Sequence, residues 1–509
     1  MSSALNFACA VLPIVWLCVS LCVLRLPGYI ACPAGLAVAS VLALFVWRHS
    51  AAEVGSAALE GAFFALWPIL LVVLAAMILF KYSELSGGMD TIKAMLSGAS
   101  SDRRVLALVL AWSFGGFLEG ISGFGTPVLI PGAILVALGF SPMTAVVCCL
   151  IANTTPTSFA QIAIPVVTLS SVTGLDVARL GAHVAMQTTL PSLLIPFLIV
   201  GVAGGGARAL RGVFLITLAS AVSFALPVFL LAVFVGPELA TLVGSVCSIV
   251  GTMTANKFLY RNTAENAQYQ LRGGNLAPAR RRMSVANACL PFILVFAIVL
   301  LTNLVPPVKA LLAPLSTTAT IYLGEDAKPL TFSWALTPGV LIFAATLLSC
   351  LAQRQGIALL ARSAGAVLRG SGKIAATIVS IIAMAKVMSY GGMTNEIAIW
   401  LVAALGSYYP LIAPAIGTLG TFITGSDTSC CVLFGELQMK AAVAVGADPA
   451  WVSASNLSGA SVGKMISPQS IAIGIGVGGL DGQEGEILKR TLKYCAPFAA
   501  IVCLTTYLG

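Results

Sequence analysis

Gly116-Phe117-Leu118-Glu119-Gly120 and Thr421-Phe422-Ile423-Thr424-Gly425 open two apolar stretches that are interrupted in the same order. Asn153-Thr154-Thr155 begins 33 residues after Gly120, and Asn456-Leu457-Ser458 begins 31 residues after Gly425. A proline follows each asparagine by twelve residues, Pro165 in the first stretch and Pro468 in the second. A Gly-x-x-Pro turn lies between, at Gly139–Pro142 and at Gly446–Pro449. Two related segments with matched helix breaks are the sequence mark of a membrane carrier that builds its binding site from discontinuous helices. Stripes such as Gly116-x-x-x-Gly120 have a plainer reading, close packing of neighbouring helices, but five shared features in order favour a site.

The composition around these stretches fits that reading. Of 509 residues 59% are hydrophobic and 9% charged, whereas a soluble domain carries roughly 25% charged residues. Apolar runs of about 20 residues, enough to cross a ~30 Å hydrocarbon layer, recur from end to end, and too little chain lies between them for a soluble catalytic domain. The expected fold class is an all-α polytopic membrane protein with about 12–14 crossings and two repeats of broken helices. Its expected parts are N-terminal helices (1–104), a first repeat (105–257, interrupted over 105–169), a basic loop (258–283), connecting helices (284–373) and a second repeat (374–509, interrupted over 411–478). The run from Met1 to Leu24 lacks a basic segment ahead of it and reads as a first membrane helix, not a signal peptide. Most of the 13 cysteines sit in apolar runs, Cys148 and Cys149 among them, and behave as small hydrophobes.

The net charge of +9 reads as orientation, not as a nucleic-acid surface, because no polar segment is long enough for such a module. Lys257–Arg282 holds six basic residues and one acidic, Arg354–Lys373 four and none, while Val305–Trp334 is neutral. With Arg208 and Arg211 at matching parity, the basic loops are placed in the cytoplasm and the C-terminus outside.

Broken helices persist in lipid only where protein or water covers their free backbone groups. Free N–H ends favour an anion, and Gly120, Gly123, Gly125, Gly425 and Gly463 supply turns. Ser426, Asn153, Thr154, Thr155, Asn456, Ser467 and Gln469 supply hydrogen bonds to a small polar ligand. Glu119 lies in an apolar stretch, where a charge costs ~3 kcal/mol or more and is functional by default. It and Asp427 are the candidate proton carriers, although Asp427 between Ser426 and Thr428 also suits a helix cap. Lys464 is the candidate partner of a substrate carboxylate, against the alternative that it snorkels. Lys386, near a helix end, reads as snorkelling, and Glu60 is left open.

Other patterns fail on context. Ser458-Gly459-Ala460-Ser461-Val462-Gly463-Lys464 lacks the first glycine and final hydroxyl of a phosphate loop. Gly474-Ile475-Gly476-Val477-Gly478-Gly479 has the dinucleotide letters but no strand–turn–helix setting. Two histidines, His49 and His183, exclude a multi-histidine metal or haem site, so no metal or cofactor is expected.

Phe117-Leu118-Glu119-Gly120-Ile121-Ser122-Gly123-Phe124-Gly125-Thr126-Pro127 resembles the Glu-Gly-x-x-Gly-Phe-Gly-x-Pro signature of the lactate permease family. Thr424–Ser429 and Gly463–Ser470 resemble two further signatures, and Leu66-Trp67-Pro68-Ile69 and Gly236-Pro237-Glu238-Leu239 match in order. The likeness runs from about Leu24 to the C-terminus; one departure is a shorter stretch around Val308–Phe332. The resemblance implies inverted repeats with re-entrant hairpins, in a multi-pass protein of the bacterial plasma membrane. It also implies proton symport of L-lactate, with D-lactate and glycolate as co-substrates. On this reading the partners are a small monocarboxylate, a proton and the bilayer, with no nucleic acid and no enzymatic reaction. Lys464 and hairpin N–H groups would take the carboxylate, the Asn, Thr, Ser and Gln side chains the hydroxyl, and Glu119 or Asp427 the proton. A sodium-coupled carrier of another small carboxylate is the nearest rival, followed by an intramembrane enzyme and a channel. Oligomeric state is not legible.

Overall fold

The fold was analysed in a computed structural model. It describes the chain except residues 1–2, 21–23, 25, 98–99, 122, 124, 261–263, 272–282, 325–326, 328, 478–479 and 481–482. Ser122 and Phe124 of the first signature, most of the basic loop and the last two glycines of the dinucleotide-like run therefore lie outside the described residues.

Among the described residues nine helices are long and apolar enough to cross a membrane, or ten if the bent pair Pro142–Ala152 and Pro156–Thr173 is one span. Shorter apolar helices at Leu5–Leu17, Thr126–Ala137, Val285–Ile298 and Gly339–Ala352 account for segments that hydropathy alone reads as further crossings. Ala57–Phe80, which reads as one span, is broken: Trp67 has extended torsions (φ −135°, ψ 112°) between helices Ala51–Phe64 and Leu71–Leu85. The neutral loop adds one feature that periodicity did not show, an antiparallel pair of short strands, Ser316–Ala319 with Leu330–Ser333.

The two interrupted zones fold as hairpins of opposite direction. Arg103–Ile121 stops at the turn around Gly123 and Gly125, and Thr126–Ala137 packs back beside it. Its far end returns to the start of the hairpin, where Arg103 lies over the Phe140 ring at 5.1 Å. Ser141 then caps Pro142–Ala152, with proline in the first turn, the position where a missing N–H costs nothing. In the second zone Tyr409–Thr424 stops at Gly425 and Asp427–Val445 packs back beside it. Asp448 caps Pro449–Gly463 in the same way. The first hairpin's outer turn lies beside Arg103 and Tyr269, which are joined by a backbone bond of 3.0 Å, on the face of the basic loops. The second hairpin's outer turn lies at Asp448, paired to Arg179 at 2.8 Å, on the opposite face. Trp451 Nε1 donates to the Thr506 carbonyl at 2.9 Å, so the end of the chain lies on that opposite face too.

Glycine roles divide accordingly. Gly123, Gly125 and Gly425 have φ of +54°, +83° and +69°, the left-handed region that favours glycine. Gly120 and Gly463 do not turn the chain. A Cβ on Gly120 would sit 3.3 Å from Leu242 N, and one on Gly463 would collide with the Thr418 carbonyl. Both let helices approach closely, the packing reading.

Arg104 fastens the basic face. It is fully buried, pairs with Asp102 at 2.6 Å and donates to Ala209 O, Arg211 O and Asn266 Oδ1 at 2.8, 2.9 and 2.8 Å. Its guanidinium also stacks 3.8 Å from the Tyr269 ring centre. A buried cation with its donors answered is stabilising only as a complete set.

Candidate substrate site

The breaks of both hairpins meet around one cavity. Glu119 and Asn153 reach it from the first repeat, and Ser426, Asp427, Lys464 and Gln469 from the second, with Gly123, Gly125 and Gly425 in the wall.

Asp427 ties the repeats together. Its carboxylate accepts from Thr157 Oγ1 of the first repeat at 2.7 Å and from Thr421 Oγ1 at 3.2 Å. The capping reading of Asp427 is thereby corrected: Ser426 holds the cap, its side chain accepting from Ser429 N, which leaves the aspartate free to face the cavity. Lys464 lies in the tight turn Lys464–Ile466, and its Nζ donates to the Gly425 carbonyl at 2.9 Å. Among the described residues no carboxylate stands within ion-pair distance of that ammonium, although its charge acts on both Glu119 and Asp427. Glu119 is 2% exposed beside Asn153 and Thr157, and its Oε2 has no hydrogen-bond partner; nor does Asn153 Oδ1. Unanswered buried polar atoms cost about 1–3 kcal/mol each, and here two of them face the same cavity.

The remaining expected residues lie elsewhere. Thr154 Oγ1 donates back to Ile151 O at 2.8 Å, and Thr155 is buried away from the cavity. Ser467 caps Pro468–Ile475 and bonds Ser470 Oγ at 2.8 Å. Asn456 is not the counterpart of Asn153. It sits inside Pro449–Gly463, where its Oδ1 accepts from Gln438 Nε2 at 3.3 Å, because the second repeat's break falls after Gly463. Pro468 opens the helix after that break, while Pro165 lies inside Ala160–Thr173. Lys386 does not snorkel: its Nζ bonds Glu60 Oε1 at 2.9 Å, and the 1% exposed Glu60 also accepts from Tyr390 at 2.8 Å. Burial of the carboxylate between two helices makes the pair preferable to an isolated charge.

Several cavity residues were not anticipated. Gln161 lies in a turn whose three residues Gln161, Ile162 and Ala163 have φ of +49°, +59° and +59°. For a β-branched residue such as Ile162 this is a true outlier, of the kind that gathers at functional sites. Its polarity at membrane depth was the available signal. Thr157, Thr428 and Ser429 were masked by the many hydroxyls nearby, and Ile69, Ile378, Ile381 and Ile382 look in sequence like any lipid-facing residue.

A multi-pass helical membrane protein, with two oppositely directed hairpins closing on a polar cavity, has the architecture of a carrier. Residues 6–509 match the L-lactate permease family model, and the chain belongs to that family, whose members are permeases and not enzymes. It is 46% identical over 449 residues to an L-lactate permease of Streptococcus iniae, covering 87% of this chain and 92% of that one. It is 31% identical to the glycolate permease GlcA of Escherichia coli K12, covering 98% and 94%, and 32% identical to an L-lactate permease of Bacillus subtilis 168, covering 99% and 96%. Among solved structures it is similar to MtrF of Neisseria gonorrhoeae (TM-score 0.48, 15% identity, covering 90% of this chain and 83% of that one), a likeness too slight to carry weight.

Proposed function

We propose that the protein carries L-lactate and related short 2-hydroxy monocarboxylates, D-lactate and glycolate among them, together with a proton. The observation that carries this reading is the meeting of Lys464, Glu119 and Asp427 at the two hairpin breaks. Lys464 has two N–H donors beyond the one on Gly425, and the first turn of Asp427–Val445 presents free backbone N–H groups, so the cavity suits a carboxylate. Asn153, Gln161 and Gln469 line the same space and suit the 2-hydroxyl. Glu119 takes the proton on the oxygen that no protein group answers, and Asp427, held across the repeats by Thr157, relays any movement of one hairpin to the other. One proton with one monoanion makes the cycle electroneutral.

Labelled L-lactate uptake into proteoliposomes, competed by short carboxylates, tests the reading. Glycolate and D-lactate are expected to compete, and acetate and propionate, which lack the hydroxyl, to compete weakly. Equal competition by acetate would remove the role given to the hydroxyl-binding side chains. A requirement for sodium at fixed pH would replace the proton with the rival ion.

A further inference from the structure

A second large cavity adjoins the central one on the face away from the basic loops. It is lined by Ser171 and Gly174, by Lys386, Ser389 and Tyr390 of helix Gly372–Tyr390, and by Glu436 and Lys440 of helix Asp427–Val445, among others. Two side chains, Ile382 and Val432, line both cavities. They are 1% and 4% exposed respectively, so a single apolar layer separates the outer space from the polar site. On the basic face the cavity lined by Arg490, Lys493 and Tyr494 shares no lining residue with the central one.

We infer that this outer cavity is the vestibule through which the carboxylate reaches the central site, with Lys386 and Lys440 as its first docking point and Ile382 and Val432 as the closed gate. The inference rests on the central cavity being the anion site. Each ammonium is held in place by one carboxylate, Lys386 by Glu60 and Lys440 by Glu436, both at 2.9 Å. One bond to a carboxylate leaves two of an ammonium's three donors for an arriving anion. Each pair is neutral overall, so what the mouth offers an arriving carboxylate is the remaining N–H donors of the two ammonium groups. The gate is apolar and one residue thick on each side, so a small shift of either helix joins the two spaces.

The test is a pair of charge variants whose effects have opposite signs. Initial L-lactate uptake is measured in right-side-out vesicles, well below saturation, at low and high salt. Glu436→Gln leaves Lys440 unneutralised and raises the rate about twofold or more at low salt; Lys440→Gln leaves Glu436 alone and lowers it by a similar factor. Both differences fade as salt shortens the Debye length from ~30 Å to ~3 Å. Ser389→Cys treated with a membrane-impermeant thiol reagent from outside loses uptake, with the unsubstituted chain treated alike as the control. Rates that move in the same direction, or that do not respond to salt, overturn the docking point. Ser389→Cys that is labelled yet transports normally overturns the route. Failure of the underlying reading is distinct: Lys464→Gln would then carry L-lactate as the unsubstituted chain does, whatever the vestibule variants show.

Discussion

In the proposed cycle anion binding turns on Lys464, the cation at the central cavity that no carboxylate neutralises within ion-pair distance among the described residues. A hydrogen bond to a charged group contributes about 1.5–3 kcal/mol, so Lys464→Gln is expected to raise the KM for L-lactate roughly ten- to a hundredfold. A KM within twofold of the original in the same uptake assay would remove it from the site. Glu119→Gln separates the proton from the anion. It keeps the side-chain shape but cannot release a proton, so uphill uptake driven by a pH gradient is expected to vanish. Exchange of labelled for unlabelled L-lactate, which needs no net proton movement, is expected to persist. Loss of both would mark Glu119 as a substrate or structural residue instead. Glu119 and Lys464 were legible in the sequence because charge at membrane depth is costly and rare. Asn456 looked equal to Asn153 by the same criterion, and only the position of the helix end distinguishes them. Asn153 follows the last turn of Pro142–Ala152, whereas Asn456 is inside a helix and answered by Gln438.

At the level of elements, the second hairpin depends on how closely Tyr409–Thr424 and Pro449–Gly463 approach. A Cβ on Gly459 would collide with the Pro414 carbonyl and one on Gly417 with the Asn456 carbonyl, and Thr418 Oγ1 donates to Gly459 O at 2.9 Å. Overpacking costs about 1–3 kcal/mol in a tight core, so Gly459→Val is expected to lower the thermal midpoint of the solubilised protein by several degrees. Gly55, with nothing within 4 Å of its would-be Cβ, is the control: Gly55→Ala is expected to hold or raise the midpoint by the ~1 kcal/mol difference in helix propensity. Equal midpoints for the two variants would mean that the hairpin is not built on this contact. The matched Gly-x-x-Pro turns were readable because proline in the first helical turn after a capping side chain has a local cause. The break at Trp67 has a local cause too, since the residue before Pro68 is pushed out of the helical region into the extended one, whereas the left-handed turn at Gln161–Ala163 contains no glycine to mark it in the sequence.

At the scale of the molecule, loop charge and hairpin direction agree. Arg104, Arg208 and Arg211 share a face, and the Asp448–Arg179 pair and the chain's end share the other. Which loops share a face was therefore open to reading from charge, but the number of crossings was not: among the described residues four apolar runs form helices of only 10–17 residues. The Glu60–Lys386 pair was not legible either, since its partners lie 326 residues apart and meet only after the bundle forms. Two inverted hairpins that present one anion and one proton in a shared cavity, as proposed, would make transport electroneutral. The direct measurement is labelled L-lactate uptake into proteoliposomes under two separate driving forces. With the voltage clamped at zero and the outside more acidic, accumulation is expected to follow the pH gradient. With equal pH and an imposed potential, worth ~2.3 kcal/mol per charge per 100 mV, none is expected; accumulation driven by voltage alone would contradict the account.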